Sequence, residues 1–334
     1  MRVVQALLER LRSAGAKPAH ERRALSNALA GRPLDARRAR GDAAFPRGLE
    51  LALPAAQRAL ESLATIESAH PGLDGSERLL VRLADGRSVE TVRLPSLSLC
   101  ASTQVGCAVG CTFCMTGREG LARNLAADEI LAQVMLARRR GPVKRVVFMG
   151  MGEPAHNLAA VLAAVDALVE WGGLGRKDLV ISSVGDRRLF ARLAEHPVKP
   201  ALALSLHTLD AARRRELLPR APAIDPEELV ELAQEQARAS GIPTQVQWTL
   251  LAGVNDGDDE LARIERVLAG RWAVLNFIPW NAVDGVAYER PSAERLRAIG
   301  TRLGAAGVFV KFRRSAGQDV DGACGQLRAR RAVC

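Results

Sequence analysis

The chain has 334 residues, of which 48% are hydrophobic and 25% charged. This composition excludes a mainly disordered or collagen-like polymer and allows one large α/β domain with a smaller appendage. The 47 Lys and Arg against 37 Asp and Glu leave a formal charge of +10, so nucleic acid or another polyanion is the first partner to consider.

Charges interrupt the N-terminal run MRVVQALLERLRS, and no uncharged stretch is long enough to span a bilayer. The chain therefore reads as soluble and cytoplasmic, with no membrane partner. Within residues 1–75, Val4, Leu7, Leu8 and Leu11 recur at helical spacing, as do Leu53, Ala56, Leu60 and Leu63. An Arg-rich stretch from Gly31 to Arg47 separates them, and the pattern predicts a small helical accessory region. ERLLVRL and SVETVRLP flank Asp85-Gly86 and predict a β-hairpin over 76–95, with Glu90 on its second strand.

From 96 to 315, short apolar runs alternate with helical segments, the pattern of a parallel sheet covered by helices. Candidate strands are LSLCA (97–101), RVVFM (145–149), LVISS (179–183), ALALSL (201–206), TQVQWTLL (244–251) and AVLNFI (273–278). Helices fit between them at 126–139, 158–171, 226–239 and 258–268. Six such units are fewer than the eight of a closed barrel. Gly152, Glu153, Ser182, Ser205, His207 and Asn281 lie just beyond strand ends, the rim where βα folds bind ligands. Any one of them taken singly is as readily a cap or turn residue. A Gly-rich segment, 316–334, closes the chain.

Four of the six cysteines, Cys100, Cys107, Cys111 and Cys114, fall within fifteen consecutive residues; the others are Cys324 and Cys334. In a reducing cytosol such clustering points to metal ligands or reactive thiols rather than structural disulfides. Cys107-Ala-Val-Gly-Cys111-Thr-Phe-Cys114 places three thiols on a loop directly after the first strand of the alternating region. Three thiolates can hold three irons of a 4Fe-4S cluster, leaving the fourth open to an amine and a carboxylate such as S-adenosylmethionine offers. The competing reading is structural zinc, which wants a fourth ligand, and Cys100 is the nearby candidate.

This spacing, with Phe113 before the last cysteine, resembles the radical S-adenosylmethionine superfamily. Read outward, QVGCAVGCTFCMTG, MGMGEP (149–154), SLH (205–207), GVND (253–256), IPWN (278–281) and DGACGQL (321–327) resemble, in order, the RlmN/Cfr-type adenine methyltransferases of RNA. The resemblance covers about Glu90 to Leu327. It implies a partial, six-unit parallel β/α barrel and a 4Fe-4S cluster on Cys107, Cys111 and Cys114. It also implies S-adenosylmethionine contacts at Gly152, Glu153, Ser182, Ser205, Leu206, His207 and Asn281.

The resemblance further implies that Cys324 accepts a methyl group, and that a radical made from a second S-adenosylmethionine activates it for addition to carbon 2 or carbon 8 of adenine. Glu90 would take the ring proton. Cys100 would release the protein–RNA adduct by forming a transient disulfide with Cys324. An electron donor such as flavodoxin or ferredoxin and a thiol reductant are then required. The RNA would be ribosomal or transfer RNA, presenting its base out of the stack.

Residues 1–90 hold 15 basic and 11 acidic side chains, and 311–334 hold six and two, so eight of the ten excess charges flank the core. Both flanks are expected to hold RNA phosphates. A solvated surface is the plain alternative, and only 12 aromatic residues (4 Trp, 1 Tyr, 7 Phe) speak against an extended stacking platform. A radical enzyme with a non-RNA substrate, and a zinc-containing RNA-binding protein without catalysis, stay open here. Cys334 receives no role.

Overall fold

The computed structural model describes residues 2–36 and 44–329. Three helices come first: α1 (Arg2–Ser13), α2 (Pro18–Leu29) and α3 (Arg47–Glu61). Val4, Leu7, Leu8 and Leu11 of α1 are buried, as are Leu49, Leu53, Ala56 and Leu60 of α3, so each helix lays one apolar stripe on the core.

The helical reading of the first 75 residues fails at its end. Ala64–Pro71 is a strand, β1, followed by β2 (Glu77–Leu83) and β3 (Ser88–Leu94), which form the expected hairpin around Asp85-Gly86. β1 pairs antiparallel with β2, with a bulge between Ile66 and Ser68. That pairing overrides the weak local pattern of ATIESAHP, whose apolar side chains alternate poorly.

The alternating region runs β4 (Ser98–Cys100), β5 (Gln104–Gly106), β6 (Leu121–Asn124), α4 (Ala127–Arg140), β7 (Arg145–Phe148) and α5 (Leu158–Glu170). It continues with β8 (Leu179–Ser183), α6 (Arg187–Glu195), β9 (Ala201–Ser205), α7 (Ala211–Leu217) and α8 (Pro226–Ser240). β10 (Thr244–Leu250), α9 (Asp258–Leu268), β11 (Ala273–Pro279), α10 (Ala293–Ala305) and β12 (Val310–Phe312) complete it. One ten-stranded sheet has the order β1-β2-β3-β4-β7-β8-β9-β10-β11-β12, and β5 with β6 forms a separate ribbon.

β4 and β7–β11 are the six parallel strands of the partial barrel. β12 adds a seventh beside β11, and the antiparallel β1–β3 extends the other edge. α8 shows why the helices stop where they do: Asp225 caps its first amides, Pro226 opens it and Gly241 ends it at φ +64°. The N-terminal helices and the barrel share one hydrophobic core. Among the described residues no helix is long and apolar enough to cross a membrane.

Candidate active site

The β5–β6 ribbon closes the neck of the loop carrying the three clustered cysteines. Across the neck the Cys107 amide donates to the Gly120 carbonyl at 3.0 Å, and Gln104 Nε2 donates to Asn124 Oδ1 at 2.7 Å. The loop then folds back on itself so tightly that a Cβ on Gly117 would stand 2.8 Å from the Gly110 Cα. Its far side rests on the end of α7, where Thr112 N–H donates to the Leu217 carbonyl at 3.0 Å. Cys107, Cys111 and Cys114 thereby form one wall of a cavity whose floor is the C-terminal ends of β7 to β11.

Burial pushes the Cys107 thiol up to about 11 and raises those of Cys111 and Cys114, with neighbouring thiols adding to the effect at Cys111. Such thiols ionise readily only when a cationic metal core takes their charge. Among the described residues no three His, Cys, Asp or Glu side chains converge where a single metal ion would sit. A zinc site draws its donors onto one ion, whereas a cubane cluster takes each thiolate on a different iron and keeps the sulfurs apart. Three thiols on one cavity wall, with Cys100 outside the lining, suit three corners of such a cluster.

Gly152, Glu153, Ser182, Ser205, His207 and Asn281 line the same cavity. Glu153 is held by the amides of Ala155 at 2.9 Å and Val184 at 3.0 Å, and burial raises its pKa. Ser182 and Ser205, at the ends of adjacent strands, stand 3.2 Å apart through their hydroxyls. His207 adopts φ +64°, a strained conformation for a side chain of its size. Asn255 of the GVND motif holds it there, donating to the His207 carbonyl at 2.7 Å and the Thr249 carbonyl at 2.8 Å. His207 Nδ1 accepts the Thr249 amide at 2.9 Å, so the neutral ring carries its proton on Nε2. Burial, with help from nearby Arg214, lowers the His207 pKa to about 3.

Cys324 lies on the cavity wall, on a loop tied to the cysteine loop by the Met115 amide, which donates to the Gly325 carbonyl at 2.8 Å. Its side chain is open to solvent from inside the cavity yet enclosed by protein atoms, which raises its pKa while Arg313 opposes the rise. Cys100 is buried outside the cavity lining, with its thiol pushed up by burial and then by Cys324. Cys100, Cys107, Cys111, Cys114 and Cys324 are all free thiols, so the disulfide that the resemblance implies is absent. Burial of the Cys100 thiol makes it hard to ionise and so disfavours its oxidation at rest.

Two other expected site residues lie outside the cavity. Leu206 is a fully buried core residue. Glu90, at the centre of β3, is buried against Arg78 and accepts the amides of Arg328 at 2.7 Å and Ala329 at 3.0 Å. Burial pushes its carboxyl up, against the pull of Arg78. Cys334, Arg330 and Arg331 lie outside the described residues.

Two residues escaped sequence reasoning. Gln247, inside β10, lines the cavity with its Oε1 buried and without a partner. Arg214, on α7, is 4% exposed, donates to the Val184 carbonyl and leaves Nε unpartnered. Burial lowers its pKa to about 10, while Cys111 and Glu153 act to raise it. Alternation on β10 could have flagged Gln247 as an inward polar residue. Nothing in RRREL marks Arg214 among its neighbours.

Residues 101–264 match the Radical SAM superfamily. The chain is 59% identical over 324 residues to a "Probable RNA methyltransferase" of Thiobacillus denitrificans, covering 97% of this chain and 90% of the relative. It is also 59% identical over 322 residues to a similarly named protein of Aromatoleum aromaticum, covering 96% and 91%. The crystal structure of a radical SAM methyltransferase from Sphaerobacter thermophilus aligns with a TM-score of 0.79 at 35% identity, over 86% of each chain.

Proposed function

The chain belongs to the radical S-adenosylmethionine RNA methyltransferases, and from that premise we propose that it methylates carbon 2 or carbon 8 of an adenine in ribosomal or transfer RNA, using Cys324 as the methyl carrier. The observation that carries this reading is the placement of Cys324 in the cavity walled by Cys107, Cys111 and Cys114, with Cys100 close enough for the two thiols to influence each other.

A 4Fe-4S cluster on Cys107, Cys111 and Cys114 would supply the electron that cleaves S-adenosylmethionine reductively. Gly152, Glu153, Ser182, Ser205, His207 and Asn281 would bind the sulfonium substrate. Among their polar side chains, the His207 Nε2–H donor and the unpartnered Asn281 Oδ1 are open to it. Cys324 must lose its proton to accept a methyl group, and Arg313 is the cation that favours this. Cys100 would then attack Cys324, forming the transient disulfide that a thiol reductant reopens. An electron donor such as flavodoxin or ferredoxin would reduce the cluster. Glu90 would act as base while its Oε2 holds the amides of residues 328 and 329.

Lys311, Arg313 and Arg314 have no carboxylate partner among the described residues, whereas Arg328 pairs with Asp284 at 3.0 Å. The first three are the cations of the C-terminal flank that we assign to RNA phosphates, with the N-terminal helical region as the second grip. The test is mass spectrometry of protein incubated with S-adenosylmethionine and a reductant: a methyl group on Cys324 is expected, and Cys100→Ala should trap RNA covalently. An unmodified Cys324, or clean turnover by Cys100→Ala, overturns the reading.

A further inference from the structure

The β1–β3 hairpin region contributes nothing to the cavity lining except through the loop it holds. Asp74, in the turn before β2, accepts the Gly317 amide at 2.9 Å, and Asp319 accepts the Leu73 amide at 2.8 Å, a reciprocal pair at the entry to the Cys324 loop. Farther along, Arg78 Nε donates to the Val320 carbonyl, and Arg78 Nη1 pairs with Glu90 Oε1. Glu90 Oε2 accepts the Arg328 and Ala329 amides at 2.7 and 3.0 Å. Val320 and Arg328 stand four residues before and four residues after Cys324. One ion pair, with the Arg78 side chain 10% and the Glu90 side chain 2% exposed, therefore fastens both arms of the loop.

We infer that Arg78 is a positioning residue for Cys324: its guanidinium joins the carbonyl of one arm to the carboxylate that holds the other, and so fixes the thiol at the cavity wall. No other cation is hydrogen-bonded to Glu90 among the described residues. Glu90 without Arg78 is a buried carboxylate supported by amides alone, a poor anchor. The same geometry links the loop to proton transfer. Glu90, the proposed base, also holds the 328–329 arm through Oε2, so a change in its protonation would be felt by the loop. The functional consequence rests on the proposed role of Cys324; the clamp itself does not.

The test is amide hydrogen exchange on the reconstituted holoenzyme, comparing wild type with Arg78→Met and Arg78→Lys, alongside mass spectrometry of Cys324. In Arg78→Met the amides of 317–329 should exchange about tenfold faster while peptides of α5 and α8 stay as in wild type. Arg78→Lys, which keeps the charge on Glu90 but lacks the fork that also reaches the Val320 carbonyl, should recover only part of that protection. Methyl occupancy of Cys324 should fall in Arg78→Met and recover in part in Arg78→Lys. Unchanged protection of 317–329 in Arg78→Met overturns the clamp, as does faster exchange across the whole chain in both variants. If the segment loosens and recovers as expected but wild-type Cys324 never carries a methyl group, the clamp stands and the methyl-carrier reading falls.

Discussion

Asn281 donates to the Cys324 carbonyl at 3.0 Å and to the Ser315 hydroxyl at 2.9 Å, while its own Oδ1 is buried with no partner. The amide thus supports the Cys324 loop with one end and offers the other to the cavity. Asn281→Leu should lose about 1–3 kcal/mol of stability, because two hydrogen bonds go at a buried position. It should also lower kcat/KM by roughly 10- to 100-fold, since one oriented polar contact and the loop position fail together. A thermal melt paired with steady-state kinetics checks both numbers.

Gln247 gives the opposite balance. Its Oε1 has no protein partner and the residue lines the cavity, so removing the amide breaks no strong bond within the protein. Gln247→Leu should melt at or slightly above the wild-type temperature, retain its iron, and bind S-adenosylmethionine about tenfold more weakly. Calorimetric titration with the sulfonium reads this directly, and equal affinity in the two proteins would remove Gln247 from the site.

Arg214 is a buried cation with no carboxylate within ion-pair distance among the described residues, placed where Cys111 and Glu153 feel its charge. A cluster on the three cysteines becomes more negative on reduction, which a nearby positive charge favours. Arg214→Met should shift the midpoint potential negative by on the order of 60 mV, a tenfold change for one electron, and Arg214→Lys should shift it less. A redox titration followed by electron paramagnetic resonance distinguishes this from simple loss of iron.

The pH dependence of folding carries a signature of His207. With its folded pKa near 3, the unfolded chain holds the proton more readily, so this contribution is complete above about pH 6.5 and is lost as pH falls towards about 3. Between pH 7.5 and 5.5 the wild type should lose about 1.4 kcal/mol more stability than His207→Gln. Urea unfolding at the two pH values measures the difference, and parallel losses in both proteins would contradict the buried neutral ring.

The strands β7 to β11 were legible because strands covered on both faces read as continuous apolar runs, as in VVF of β7 and ALAL of β9. β12 was not, since three half-exposed residues carry no pattern of their own and owe their extension to pairing with β11. The cysteine wall could be read from spacing because a short loop keeps residues near in sequence near in space. Arg78 and Arg214 could not be. Each gains its meaning from partners far along the chain, Arg78 from Val320 and Glu90, Arg214 from Val184 and the cysteine loop. Glu90 shows the intermediate case: its strand and residue type were readable, whereas its engagement by the 328–329 backbone was not.

The ribbon at the neck of the cysteine loop bears on how the enzyme is assembled. Gln104 to Asn124 and Cys107 to Gly120 are joined by protein hydrogen bonds alone. Part of the entropy of closing that loop is therefore met by the protein's own hydrogen bonds. A zinc finger, by contrast, needs its ion in order to fold. The barrel has its own hydrophobic core, so stripping iron and sulfide should leave it folded.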